Sequence, residues 1–319
     1  MNRGLRVASG LVAGILTSMS CSADSFPARL EPVAFEALRG WADDDHEAAF
    51  RTFRRTCKVG LGEAEALRPA RETEEDLRAV CRIALSAGDL SRAAARSFFE
   101  THFSPFRIHP HSGRGFLTGY YEPEFPGSRS PGNGFGAPLL ARPDDVVTVR
   151  AGERLPGIDP SLQAARRTKS GYEPYPDRAA IEAGALGERA RPIVYLREPG
   201  EAFIIHVQGS ARIRFPDGTT TRVAYAGRNG HPYSSIGRRL VEMGEISLEE
   251  MSLGRPMQWL RDNPEPARTL MQENRSYIFF READELAPAD GPIGGAGVPL
   301  TRGRSLAVDR GLWPYGVPF

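Results

Sequence analysis

The stretch from Phe203 to Leu240 constrains this chain more than any other. It reads Phe-Ile-Ile-His-Val-Gln-Gly-Ser-Ala-Arg-Ile-Arg-Phe, then Pro216-Asp217-Gly218, then Thr-Thr-Thr-Arg-Val-Ala-Tyr. Two β-type runs flank a turn whose glycine can take positive φ, so the pattern predicts a hairpin around Asp217. After Ala224 and Tyr225 comes a loop of Gly, Asn, His, Pro and Tyr, closed by Ser234 and Ser235 as helix N-caps. Gln208, Ser210, Tyr225, Asn229 and Tyr233 are thereby expected at strand ends and loops, where a rigid sheet presents side chains to a ligand. Amides, hydroxyls and tyrosine rings without clustered charge suit a neutral, hydroxyl-rich ligand such as a sugar chain. The same residues also read as an ordinary hairpin with a Gly/Asn-rich turn.

At 319 residues the chain has room for two domains, each with its own core. A hydrophobic content of 40% and a charged content of 25% are ordinary for a soluble globular protein. The net charge of +1 argues against nucleic acid as a partner, which calls for a clustered basic surface. Positive charge is nearly all arginine, Lys58 and Lys169 being the only lysines, which reflects genome composition rather than phosphate recognition. Residues 1–20 read as a signal peptide: Arg3 and Arg6 form a positive region, residues 11–16 an apolar heart, and Ser18-Met19-Ser20 a small-residue junction. The apolar run is far shorter than the ~20 residues a spanning helix needs. Cys21 at the junction is a candidate lipid-attachment site. Cys57 and Cys81 remain, an even pair in an oxidising compartment, readable as a disulfide or as two buried thiols. His109 and His111 alternate without a third ligand nearby and read as surface histidines; no metal site and no cofactor is expected.

Along the chain, residues 30–105 read helical, with Asp44 or Asp45 capping a first helix, residues 74–87 a second, and Asp89 or Ser91 capping a third. From about Ile108 the period changes. Residues 113–124 read as a strand, 126–138 as a Gly/Pro/Ser-rich loop, and 139–149 and 192–196 as further strands, with Asp177 capping a short helix. The block is consistent with a small barrel or sandwich. Helices return at 235–273, where Ser247 with Glu250 forms a capping box and Pro264 opens a helix. Residues 277–282 return to strand, with Tyr277, Phe279 and Phe280 assigned to the core, and 291–297 reads as a flexible loop.

The opening stretch resembles the core signature of the membrane-bound lytic murein transglycosylase A family. That pattern appears here as Val207-Gln208-Gly209-Ser210-Ala211 and as Tyr225-Ala226-Gly227-Arg228-Asn229-Gly230-His231-Pro232-Tyr233-Ser234-Ser235-Ile236-Gly237. Supporting segments follow in order: Phe35 to Trp41 with Asp43-Asp44-Asp45, Gly119-Tyr120-Tyr121-Glu122-Pro123, Tyr175-Pro176-Asp177-Arg178, Asn274 to Phe280, Val298-Pro299-Leu300-Thr301, and Arg304 to Arg310. Ala211 stands where the family usually has glycine. An Asp-x-Gly-Gly-Ala-Ile segment, whose Asp the resemblance makes the general acid/base, does not occur in the sequence. The resemblance places that Asp beyond Phe319, the last residue of the sequence.

The resemblance implies a mixed α+β fold of two domains. A double-psi β-barrel domain, incomplete here, is built from both chain ends (residues 21–112 and 239–319), with a β-rich, barrel-like glycan-binding domain inserted at 113–238. It implies a lytic transglycosylase that cuts the β-1,4 bond between N-acetylmuramic acid and N-acetylglucosamine. One carboxyl group protonates the leaving oxygen, then takes the proton of the sugar's own C6 hydroxyl as a 1,6-anhydro ring closes; most glycosidases need two carboxylates. Tyr120, Tyr121, Glu122, Gln208, Gly209, Ser210, Tyr225, Asn229, Tyr233 and Ser235 are the expected glycan contacts. Asp309 is the carboxylate nearest the acid's motif, readable also as a salt-bridge partner of Arg304 or Arg310; Glu122 is readable also as an acceptor holding a loop. Peptidoglycan strands are the expected partner, with a cell-wall synthesis or hydrolysis complex possible by analogy, and the expected location is the periplasm, anchored to the outer membrane through lipidated Cys21. A murein-binding lipoprotein without turnover, or a fragment of an intact enzyme, reads from the same residues. Mass spectrometry of the mature N-terminus is expected to find Cys21 acylated. A Cys21→Ser protein that still partitions with membranes would count against the anchor.

Overall fold

Asp45 accepts the Ala48 N–H at 3.0 Å and so starts helix α1 (His46–Gly60), as a short acidic residue before an apolar-periodic run predicts. The computed structural model describes residues 27–319 except 114, 116, 151, 251, 253 and 288; the signal segment and Cys21 lie outside the described residues. Helix α2 (Glu75–Ser86) and helix α3 (Arg92–His102) follow, the latter approached by Ser91, whose hydroxyl accepts the Ala94 N–H at 3.4 Å. Phe50 of α1 meets Phe98 of α3 edge-on, with 4.8 Å between ring centroids. A disulfide between Cys57 and Cys81 ties α1 to α2, with the Cα atoms 5.0 Å apart.

The chain divides into two compact units, one of residues up to 44 with 99–116, the other of 45–98 with 117–319. In the first, strand β1 (Ala28–Pro32) pairs antiparallel with β2 (Phe106–Pro110). His109 hydrogen-bonds Glu31 at 2.7 Å, which holds that carboxyl below its usual range. Trp41 donates its indole N–H to Glu100 at 2.8 Å.

The second unit is built around a six-stranded sheet. Its elements in chain order are β3 (Glu124–Ser128), β4 (Ala137–Leu140), β5 (Val146–Thr148), β6 (Ala164–Thr168), β7 (Gly171–Pro174), α4 (Arg178–Glu182), β8 (Pro192–Leu196), α5 (Pro199–Gln208), β9 (Ser210–Arg214), β10 (Thr220–Arg228), α6 (Ile236–Glu242), α7 (Gly254–Asp262), α8 (Pro264–Glu273) and β11 (Ile278–Glu282). The sheet runs β11-β10-β9-β3-β8-β4, antiparallel except where β3 lies parallel to β9. A further bridge from Ala141 to Phe280 joins the two edges, so the sheet curls back on itself. Alternate residues Leu139, Val194, Leu196, Ala211, Ile213 and Val223 fill the interior together with Ala202 and Ile205 of α5. Gly127 is required on β3: a Cβ there would stand 2.4 Å from the Ile213 methyl. Strands β5, β6 and β7 form a separate antiparallel sheet, and α5 to α8 share a second apolar cluster around Phe203, Leu240, Leu260 and Leu270.

Four expectations are corrected here. The first run of the opening stretch is not a strand. Residues 199–208 form α5, opened by Pro199 and a reciprocal capping box between Glu198 and Glu201. A short helix apolar on nearly every side looks like a buried strand by composition, and only its caps distinguish it. Among the described residues of 113–124, only Thr118, in an isolated bridge to Ala307, and Glu124, the first residue of β3, make β pairings. Conversely, the Pro/Gly-rich 126–138 contributes to β3 and β4, with Pro126 accepted at the end of its parallel pairing. Ser247 and Glu250 do bond to each other, at 3.0 Å, but they close a turn rather than open a helix. Tyr277, Phe279 and Phe280 are buried as expected.

His206, in the last turn of α5, is enclosed. Its Nδ1 accepts from Arg178 at 3.1 Å, and its ring packs edge-on to Tyr277 and against Phe280. Burial first, then the Arg178 charge, hold its pKa well below the usual 6.5. The unfolded chain therefore binds a proton below pH 6.5 that the folded chain refuses. Stability from this site is fully present above that pH and should fall by about 1.4 kcal/mol per unit below it. Denaturant melts of wild type and His206→Gln between pH 4.5 and 8 should show the wild type losing stability below pH 6.5 more steeply than the variant, by about that slope. Reduction of Cys57–Cys81, which closes a 24-residue separation, should cost about 3 kcal/mol in the same melts.

Candidate functional site

Strand β10 carries a bulge between Tyr225 and Gly227 where it pairs with β11, and its exit becomes the loop 229–235. Asn229 is fully buried. Its Nδ2 donates to Pro176 O at 3.0 Å and Arg275 O at 2.9 Å, and its Oδ1 accepts the Tyr277 N–H at 2.9 Å. The amide is saturated by backbone, so in this arrangement Asn229 shapes the loop. Gly230 follows at φ +86°, where a Cβ would stand 2.2 Å from the Ala164 nitrogen, and its carbonyl accepts the Gln163 N–H at 3.0 Å. His231 donates Nε2–H to Tyr175 O at 2.7 Å. Ser235 accepts the Arg238 N–H at 3.3 Å and caps α6, as its position before the helix predicts.

This anchoring leaves aromatic surface outside. Tyr121 is 56% exposed, Tyr233 55% and Tyr225 39%, so each ring has a face or edge free for a partner. Gln208 stands half-buried at the C-terminus of α5, not on a strand, and Gly209 caps that helix at φ +81° with its N–H on Ile205 O at 2.8 Å. Ser210 is buried at the first position of β9.

Glu122 is bound by two guanidinium groups. Its Oε2 accepts from Arg212 Nε at 3.1 Å and from Arg222 Nη2 at 3.2 Å, while Arg222 Nε lies 2.9 Å from Oε1, near enough to pair but too bent for a hydrogen bond. Both arginines also donate to the Asp290 carbonyl, Arg212 at 3.1 Å, and the Asp290 carboxylate pairs with Arg55 of α1 at 2.8 Å. The loop-holding reading of Glu122 thus describes its geometry, with arginine side chains in place of the backbone amides expected. Tyr120 joins the cluster: a Cβ on Gly291 would be 2.8 Å from its hydroxyl oxygen. Burial, then the Glu122 charge, push the Tyr120 phenol above its usual range. Arg212 and Arg222 were not singled out in the sequence. The signal was there, since they sit symmetrically about the Asp217 turn and pair directly in the β9–β10 register. Like charges opposite one another call for a shared acid.

Asp309 belongs to the segment after β11. It is exposed, its Oδ1 accepts the Gly311 N–H at 2.9 Å, and its carbonyl accepts from Leu312 and Trp313 at 3.1 and 2.9 Å. With Pro69, Ala70, Arg71, Arg310 and Gly311 it lines an open recess of about 400 Å³. Arg310 directs its guanidinium to the Pro69 carbonyl. Phe319 is exposed, and its ring meets Trp313 edge-on with 5.0 Å between centroids. Among the described residues no group of three or more His, Cys, Asp or Glu is placed to hold a metal ion.

Comparison with known proteins places this geometry. The family model described as the MltA specific insert domain matches residues 116–281, just over half of the chain. The membrane-bound lytic murein transglycosylase A of Vibrio cholerae is 39% identical over 146 residues, which is 45% of this chain and 38% of that protein. The match thus spans well under half the length of this curated relative. The crystal structure of the membrane-bound lytic murein transglycosylase from Agrobacterium tumefaciens is similar with a TM-score of 0.75 at 38% identity, covering 88% of this chain and 77% of that one. The structure of Escherichia coli MltA with bound chitohexaose is similar with a TM-score of 0.55 at 25% identity, covering 91% of this chain and 72% of that one. The mixed α+β architecture agrees with these structures, and with the insert domain matched from end to end of the curled sheet, this chain belongs to the MltA family.

Proposed function

We propose that this protein is an exported lytic murein transglycosylase, acting on the glycan strands of peptidoglycan with formation of 1,6-anhydro-N-acetylmuramic acid ends. The observation that carries the reading is the likeness, over 91% of the chain, to a relative crystallised with chitohexaose, a chain of N-acetylglucosamine units. The residues support it physically. Exposed tyrosines on a backbone anchored by Asn229, Gly230 and His231 offer flat apolar faces to sugar rings. Preformed loops of this kind bind without the cost of ordering.

The finer assignments belong to the same proposal. The inserted domain, about 113–238, carries the glycan contacts Tyr121, Gln208, Tyr225 and Tyr233, while Tyr120, Glu122, Gly209, Ser210, Asn229 and Ser235 hold those contacts in place. The segments on either side contribute to a double-psi β-barrel domain. A carboxyl group serves in turn as acid and base, with no cofactor. Asp309 is the candidate acid in the sequence up to Phe319, and its bond to the Gly311 N–H suits a turn-capping acceptor better than a proton donor. Cys21 would anchor the protein to the outer membrane from the periplasmic side.

Purified murein incubated with the protein should release products ending in 1,6-anhydro rings rather than reducing ends; reducing ends would make it a hydrolase and sink the reading. Asp309→Asn should leave chitohexaose binding unchanged. If that substitution lowers anhydro-product release by ~10²–10⁴-fold, the size of effect expected on losing a general acid, Asp309 is the acid/base after all.

A further inference from the structure

Among the described residues Arg178 is the largest side chain fully enclosed, 2% exposed, and it is a cation. Its Nε donates to Asn274 O at 2.9 Å, and Nη2 to Ser276 O at 2.7 Å and to His206 Nδ1 at 3.1 Å. Nη1 meets the Glu182 carboxylate at 3.3 Å. The guanidinium lies over the rings of Phe203 and Tyr277, at 4.7 and 5.2 Å from their centroids. Its backbone N–H adds a bond to Arg275 O at 3.1 Å. Arg178 therefore grips three successive residues of one turn, 274–276.

The same turn holds the tyrosine-bearing loop. Asn274 Oδ1 accepts the Ser234 N–H at 3.1 Å and the Ser276 N–H at 3.2 Å. Arg275 O takes the Asn229 amide at 2.9 Å, and Tyr277 exchanges bonds with Asn229, N–H to Oδ1 at 2.9 Å and O from N–H at 3.0 Å. The turn is a plate, clamped by Arg178 and gripping residues 229 and 234. Tyr233, exposed, stands between those two attachments.

A buried ion pair is weak evidence for stability, since apolar side chains of similar volume often hold a core as well or better. What an apolar side chain cannot supply is a rigid fork aimed at two carbonyls and an imidazole at once. We propose that Arg178 is a positioning residue: it sets the turn 274–277, and through it the placement of loop 229–234 and the Tyr233 ring for contact with a glycan. The glycan as ligand rests on the function proposed above; the coupling of Arg178 to the loop does not.

Two readouts keep these apart. In Arg178→Lys, charge is kept but one ammonium cannot span the acceptors. Amide exchange at Ser234 and Asn229 should quicken at least tenfold while amides within β9 keep their wild-type rates, and chitohexaose should bind at least tenfold more weakly. Asn274→Ala should reproduce both effects, and Asn274→Asp, which keeps the acceptor, should restore them. Arg178→Met, which preserves contact with Phe203 and Tyr277, carries the test if the lysine variant does not fold. Wild-type exchange at Ser234 in the Arg178 variant, equal loosening across β9, or collapse of both Arg178 variants would overturn the proposal and leave Arg178 a structural core residue. Selective loosening in a protein whose wild type binds no chitohexaose would uphold the positioning role and sink the murein reading instead.

Discussion

Arg212 and Arg222 face each other in direct register across β9 and β10, and a single carboxylate, Glu122, answers both. Like charges placed opposite one another on neighbouring strands repel, so the hairpin is tenable only with that acid in place. Glu122 arrives from a segment 90 and 100 residues away in sequence, and the Asp290 carbonyl arrives from beyond β11. One charge cluster thus pins the tyrosine-bearing segment before β3 and the segment after β11 to the same face of the curled sheet. Breaking a buried pair by removing one partner costs on the order of 3–5 kcal/mol, comparable with much of a domain's net stability. The Asp290 carboxylate extends the connection to α1 through Arg55.

On another side of the sheet, neutral groups do the equivalent task. Asn229, His231 and Asn274 each spend their side chains on backbone atoms of separate segments, and the loop between them is held by their bonds rather than by regular structure. Burying polar side chains against backbone partners favours one arrangement over its neighbours. The exposed rings of Tyr225 and Tyr233 are consequently carried on a backbone whose entropy was already lost on folding. That division, saturated amides inside and bare aromatic surface outside, is what a preformed carbohydrate contact requires.

The caps and turns of this protein were legible residue by residue. Asp45, Asp177 and Ser235 each accept the backbone N–H three residues on, and β8 occupies the residues its alternation marks. The motif segments from Tyr120 to Asp309 were legible too, as a family resemblance. What each residue does within them was not. Asn229 reads as a ligand contact and its amide is bound to backbone on both sides; Glu122 reads as either and is bound by arginines; Gln208 reads as a strand end and closes a helix.

By itself the sequence determined what depends on near neighbours: helix starts, the Pro216-Asp217-Gly218 turn, the small charge, and the amphipathic faces of α1 and α2. Only the tertiary structure decided what depends on distant partners. A short apolar run such as 203–207 satisfies helix and strand alike until Pro199 and the Glu198–Glu201 box select the helix and the curled sheet encloses it. A polar side chain faces a ligand or the backbone according to which acceptors reach it, and those of Arg178 lie 96 and 98 residues away. Local propensity acts over a few residues. The desolvation that drives buried amides and charges toward partners acts over the whole fold, and it settled which of the legible residues turn inward and which stay exposed.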